Sequence, residues 1–210
     1  MYKHSALLER ILRTKQIVWK DSKITLFKLP VFMSAAHLEV YLFNSLEENI
    51  GEEKTRDIMY DLGEFQGEES FDLFAQMYGF SKKIIDKSKF LDFQITQSEI
   101  AGRGEVKWVK KDLKNNHFVA QFKSVFAEVY KCKISKKQKA IDHQARGILS
   151  KYVERIIGEP CFCIESKCIC TGNEYCEFII KPIKDWDTTC SKYKKQFPNK
   201  IQQLKKFRMF

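Results

Sequence analysis

The chain has 210 residues, 44% hydrophobic and 13% aromatic with 17 Phe, which is the length and apolar content of a globular domain with a sizeable core. No apolar run approaches the ~18 residues of a membrane span and no secretory leader pattern is present, while seven cysteines, odd in number and clustered at metal-ligand spacing, point to a reducing, cytoplasmic compartment over a disulfide framework. The net charge is +10, and seven basic residues with no acidic one fall between Ser191 and Phe210, so the charge excess belongs mainly to the end of the chain.

In chain order, residues 5–16 read as a short amphipathic helix with Leu7, Leu8, Ile11 and Leu12 on one face. Ile17 to Trp19, a turn at Lys20–Lys23, and Ile24 to Leu29 predict a small hairpin ended by Pro30. Ser34 is placed to cap a helix reaching Asn49, with Leu38, Tyr41, Leu42 and Leu46 inward and Gly51 closing it. A long helix follows from Glu52 to Tyr78, carrying Ile58, Met59, Leu62, Phe65, Phe71, Phe74 and Met77. Gly63 and Gly67 share one face of it; each costs a helix about 1 kcal/mol relative to alanine. A close backbone neighbour would explain them, and a partner helix across a homodimer is the expected one.

Ser81 to Phe93 reads as a third helix, and Gly104 to Asp112 as a strand with Val106, Trp108 and Lys110 on one face. Lys114-Asn115-Asn116 is a turn, and Phe118 to Cys132 predicts one long strand or two short ones broken near Val125. A helix over about Ala140–Ile157 buries Ile141, Ile148, Leu149, Tyr152, Val153 and Ile156. Cys161, Cys163 and Glu165 then alternate with Phe162 and Ile164, and Tyr175 to Ile180 forms a second strand after the turn Thr171-Gly172-Asn173. Pro198 starts a last basic helix with Ile201, Leu204 and Phe207 at three-residue spacing. The fold class is α+β: long N-terminal helices packed on an antiparallel sheet, with a C-terminal zinc-binding hairpin. The body is expected to span 1–186, and 187–210 to form a helical basic tail.

That hairpin brings Glu165, Cys168 and Cys176 towards one point. Two thiolates and a carboxylate are three of the four ligands that zinc takes in tetrahedral geometry. His143 and Cys163 are candidates for the fourth: imidazole is a good zinc ligand, and Cys163 shares the strand face of Glu165. The bland alternative is that the cysteines pack as small hydrophobes. Enzyme motifs are lacking: no His-Glu-x-x-His, no Gly-x-Ser-x-Gly, no phosphate-binding loop. A non-catalytic role is expected.

The spacing Glu165-x2-Cys168-x7-Cys176, followed by Phe178 and the run Lys181-Pro-Ile-Lys-Asp-Trp186, with Gly147 and Gly158 on the preceding helix, resembles the 4-vinyl reductase domain. Within that family it is most similar to the sensor domains of xylene- and phenol-responsive transcription activators. The likeness runs without a gap from Asp142 to Trp186; upstream only the order of elements and the Gly63/Gly67 pair agree. It implies an apolar chamber between the helices and the sheet, and a fourth zinc ligand at Asp142, where the phenol sensors carry a Cys. The large residues on the inward faces, Phe65, Phe71, Phe74, Trp108, Phe122, Phe126 and Tyr152, are the expected lining. Ile100 and Phe122 fall where those sensors hold a phenol hydroxyl with a His and a Trp, and neither side chain can form a hydrogen bond. A plain hydrocarbon or fatty chain is therefore expected in place of phenol. Two other readings remain: a scaffold subunit, since the fold also resembles the core subunits of vesicle-tethering (TRAPP) complexes, and a regulator binding nucleic acid weakly through the basic tail. The sensor activators carry further domains for output, so a separate signalling partner is also expected.

Overall fold

The structure is a computed structural model that describes residues 17–26, 29–31, 34–77, 86–134, 139–187 and 189–197. The expected helices over 5–16 and beyond Pro198 lie outside the described residues. The fold is α+β. Strands β1 (Ile17–Lys20), β2 (Lys23–Leu26) and β3 (Leu29–Val31) form a small antiparallel sheet in that order. Pro30 does not end the hairpin but lies within β3, opposite Thr25, on an edge strand where a missing N–H is tolerated.

The main sheet is antiparallel with order β4-β5-β7-β6, formed by β4 (Gly104–Asp112), β5 (His117–Ser124), β6 (Cys161–Lys167) and β7 (Cys176–Pro182). Alternation sets its inner face. Phe118, Ala120, Phe122 and Ser124 are buried along β5, and Cys176, Phe178, Ile180 and Pro182 along β7. A bulge between Trp108 and Lys110 breaks the period in β4, so Lys110 is exposed instead of sharing the face of Val106 and Trp108. In β6 every residue from Cys161 to Glu165 is buried, because Phe162 and Ile164 on the outer face pack with Tyr60, Trp186 and Phe197.

Six helices complete the described fold: α1 (Ala36–Ile50), α2 (Glu52–Met77), α3 (Lys87–Ile100), α4 (Val125–Ile134), α5 (His143–Ile157) and the short α6 (Ser191–Gln196). Gly51, at φ +84°, lets α1 end and α2 begin one residue later. Asp86 accepts the Lys89 amide at 3.0 Å and starts α3 later than the expected Ser81. The strand expected over Phe118–Cys132 stops at Ser124, whose hydroxyl accepts the Ala127 amide at 3.2 Å and caps α4. No helix among the described residues is long and apolar enough to cross a membrane.

The inward face of α2 runs through Thr55, Met59, Gly63, Gly67, Phe71 and Phe74, near four-residue spacing. The two glycines face α5 of the same chain and are not free to form a dimer surface. A Cβ on Gly63 would sit 2.1 Å from the Gln144 carbonyl oxygen, and one on Gly147 2.1 Å from that of Tyr60. Phe65, expected inward, is 64% exposed and lies with the exposed Ile58 and Leu62 on the opposite side of α2. The same inversion holds on α1, where Val40 and Phe43 are buried while Leu38, Tyr41 and Leu42 are exposed. In both helices apolar residues run round much of the circumference, so periodicity alone does not choose a face.

The crossing has a direct test. Gly147→Ala is expected to lower the melting temperature by several degrees, since overpacking costs about 1–3 kcal/mol. An uncrowded helical glycine would show the opposite sign, gaining up to about 1 kcal/mol; thermal unfolding followed by circular dichroism reads it.

Candidate metal centre and aromatic layer

The bulge between Glu165 and Lys167 ends β6, and the chain turns through a 3-10 segment, Ile169–Thr171, to Gly172 at φ +89°. The left-handed glycine returns the chain so that Cys176, the first residue of β7, meets Cys168. Their sulfurs are 3.9 Å apart, and with a Glu165 oxygen they form a buried set whose ligand atoms all lie within 4.8 Å of one another. The Cys168 carbonyl accepts bonds from Thr171 and Asn173, while its sulfur receives the Cys170 amide at 3.4 Å and that of Cys176 the Ile169 amide at 3.5 Å. This set could hold a metal ion.

Asp142 precedes α5, and its amide donates to Glu165 Oε2 at 3.1 Å. Oδ2 of Asp142 and Oε1 of Glu165 are buried without a hydrogen-bond partner. Burial pushes the Asp142 carboxyl up to about 6, and burial followed by the Cys168 charge pushes Glu165 well above the usual carboxylate range. Hydrogen bonds from Cys170 and Cys176 hold Cys168 down to about 3, and as the donors in those bonds Cys170 and Cys176 are pushed up. The groups compete for one negative charge. A bound cation is the physical partner that would let several ionise together.

The other two candidates adjoin the set without joining it. His143 turns Nδ1 to Arg146 Nη1 at 3.0 Å, and burial holds its pKa well below the ordinary value. Burial pushes the Cys163 thiol up, and its sulfur lies 4.0 Å from the Ile164 carbonyl oxygen.

The outward edge of β6 is satisfied by side chains. Ser150 Oγ donates to the Cys161 carbonyl at 2.8 Å, and Glu154 accepts the Cys161 amide at 3.3 Å. Arg146 Nε donates to the Cys163 carbonyl at 3.0 Å. At Glu165 the partner changes: the Gln196 amide accepts its N–H at 2.9 Å and donates to its carbonyl at 2.8 Å. A helix rises about 6 Å over four residues and a strand about 6.6 Å over two, so α5 keeps step with the strand. The start of the expected basic tail is docked on the body. Arg56 and Arg146 donate to the Lys195 and Gln196 carbonyls at 2.9 and 3.3 Å. Phe197 stacks on Phe162 at 4.5 Å and 12°, with the Arg146 guanidinium 4.5 Å from the centre of the Phe197 ring.

Across the sheet, Phe71, Phe90 and Tyr152 form an aromatic group with centroids 4.9, 5.5 and 5.7 Å apart. Tyr152 donates to the Phe90 carbonyl at 3.3 Å, and Trp108 Nε1 to that of Leu91 at 3.0 Å. Of the expected lining, Phe71, Phe74, Phe122 and Tyr152 are buried, and Trp108 and Phe126 half-buried. Phe65 points outward, as described, and Ile100 closes α3 with its side chain outside the described residues. One residue was missed. Gln94 lies on the buried face of α3 one turn after Phe90, 2% exposed, and its Oε1 has no hydrogen-bond partner. A helical period counted from the Asp86 cap would have placed it there.

No family model matches the sequence, and no curated protein matches it. Among solved structures, the fold is similar to the phenol-responsive sensory domain of the transcription activator PoxR, solved with phenol. The TM-score is 0.75 at 16% identity, covering 89% of this chain and 94% of that one. At this identity the likeness establishes the fold alone. A trafficking protein particle complex subunit 3 from Naegleria fowleri, covalently bound to palmitic acid, covers 70% of this chain and 93% of its own at 14% identity and TM-score 0.45. An H-NOX domain from Shewanella oneidensis covers 86% and 88% at 12% identity and TM-score 0.48. Both scores are too low to carry an argument.

Phe197→Ala is expected to cost about 3 kcal/mol, roughly 6–12 °C in melting temperature, because the ring is wholly enclosed. A free tail would show no change in the same thermal scan.

Proposed function

We propose that this chain is a non-catalytic sensor domain that binds a small hydrophobic or aromatic molecule within the aromatic layer, with a structural zinc ion at the sulfur–carboxylate set. The observation that carries the reading is an enclosed group of aromatic side chains between α2, α3, α5 and the sheet, in a fold shared with a phenol-responsive sensory domain along nearly its whole length. Ligand sites are typically concave and apolar with a few placed polar groups. Gln94 is such a group. Its unpartnered amide atom would give a ligand hydroxyl the partner that Ile100 and Phe122 lack. That reverses the preference for plain hydrocarbons expected from those two positions.

Zinc suits two sulfurs and a carboxylate oxygen, with Glu165, Cys168 and Cys176 supplying three positions and Asp142, whose Oδ2 is buried without a hydrogen-bond partner, the fourth. Four protein ligands leave no site for an activated water, which agrees with a structural role. Assembly into a homodimer belongs to the same proposal. The exposed Leu38, Tyr41 and Leu42 of α1 and Ile58, Leu62 and Phe65 of α2 are apolar surface suited to a second copy.

Native mass spectrometry of reduced, tag-free protein is expected to give a dimer carrying about one zinc per chain, and Cys168→Ser to lose both the metal and much of the stability. Metal below about a tenth of an equivalent would overturn the zinc assignment.

For the ligand, thermal shift is expected to be larger with phenol than with toluene. Gln94→Leu, which removes the unpaired amide, should reverse that order by lowering phenol affinity about tenfold. If neither compound shifts the transition, the ligand reading falls.

A further inference from the structure

We propose that the C-terminal segment 191–197 is a strap whose docking depends on the metal centre, so that loss of the metal releases the strap while the helical body stays folded. The inference rests on the metal reading above and extends it to regulation.

Glu165 is the shared residue. Its carboxylate belongs to the sulfur–carboxylate set, and Oε2 also fixes the first turn of α5 through the Asp142 amide at 3.1 Å. Its main-chain N–H and carbonyl are both bonded to the Gln196 side chain, at 2.9 and 2.8 Å. One residue thus faces the metal set with its side chain and the strap with its backbone. Arg146 makes a second link one turn further along α5. It holds the Cys163 carbonyl and His143 with two nitrogens and the Gln196 carbonyl with the third.

Beyond these links the strap is held through Phe197, which packs on Phe162 and Tyr60 with the Arg146 guanidinium over its ring. α6 is only six residues long, Lys194 and Lys195 are exposed, and the residues fixing the segment belong to β6, α2 and α5. An isolated helix of that length has no stability of its own in water. Without a cation the two sulfurs and the carboxyl group are joined only by the 3.9 Å Cys176–Cys168 contact, so Glu165 loses the ion that would tether its side chain, and any shift of its backbone withdraws both bonds from Gln196. The body is secured elsewhere, by the α2–α5 crossing at Gly63, Gly67 and Gly147. Release should therefore be local.

Coupling of this kind is reciprocal: if metal holds the strap, the strap must hold metal by the same factor. This separates a coupled device from two neighbouring structural features. Hydrogen exchange read by mass spectrometry on the full chain provides the test, with EDTA to remove metal and zinc to restore it. Exchange in 191–197 is expected to speed up at least about tenfold on chelation and to recover with zinc, while residues 59–67 of α2 stay protected. Gln196→Ala, tested at saturating zinc, should free the strap and also speed zinc loss to the chelator by a similar factor. Unchanged protection of 191–197 after metal removal would overturn the proposal, as would simultaneous loss of protection in 59–67 or zinc retention unaffected by Gln196→Ala. Protein that contains no metal as isolated would instead sink the metal reading itself, and the strap coupling with it.

Discussion

The close approach of α2 and α5 is the constraint on which the rest depends. Three glycines bring the two backbones together, and any side chain at Gly63 or Gly147 would meet a carbonyl oxygen at 2.1 Å. The helix so placed carries Arg146, Ser150, Tyr152 and Glu154 and follows directly on Asp142. Sheet edge, strap, aromatic layer and metal set are therefore all positioned from one helix. Backbone contact of this kind tolerates almost no adjustment, because peptide groups lack the rotamers by which side chains make room.

Charge is handled differently on the two sides of α5. Arg146 is fully buried, yet its guanidinium is met by carbonyl oxygens, an imidazole and two aromatic rings. Neutral oxygens and ring faces spread around a delocalised cation avoid the need to desolvate a second full charge. At the metal set the imbalance has the other sign, with burial raising the pKa of both the Asp142 and the Glu165 carboxyl groups.

The sequence reading found most of this architecture where local chemistry and long-range packing agree. The alternating strands, the Gly51 break and the cluster of Glu165, Cys168 and Cys176 follow from period two, a positive-φ glycine and ligand spacing on a hairpin. It failed where a residue admits two partners. Gly63 and Gly67 announce a near neighbour without saying whether it comes from the same chain. Phe65, Leu38 and Tyr41 sit on helices apolar around most of their girth, so pattern could not select the buried side. Val125 to Tyr130 is β-branched and aromatic enough to read as strand, and only the hydroxyl of Ser124 redirects it. Gln94 and Gln196 carry no apolar signal of their own; only the helical period from the Asp86 cap points Gln94 inward, and Gln196 matters through Glu165, which is distant in the chain.

The side-chain ladder along β6 has a consequence for how the molecule behaves in a crowd. A sheet has two open borders, each a template for strand addition from a neighbour. On β4 that border is spoiled by the bulge after Trp108 and by Lys107 and Lys110, which are exposed. On β6 it is already occupied, group by group, by Glu154, Ser150, Arg146 and Gln196. Three of those stoppers ride on a fixed helix, but the fourth arrives from far along the chain. Until it arrives, the end of β6 nearest the cysteines remains an unpaired template, and a chain interrupted before Gln196 would leave it open to pairing with its own kind.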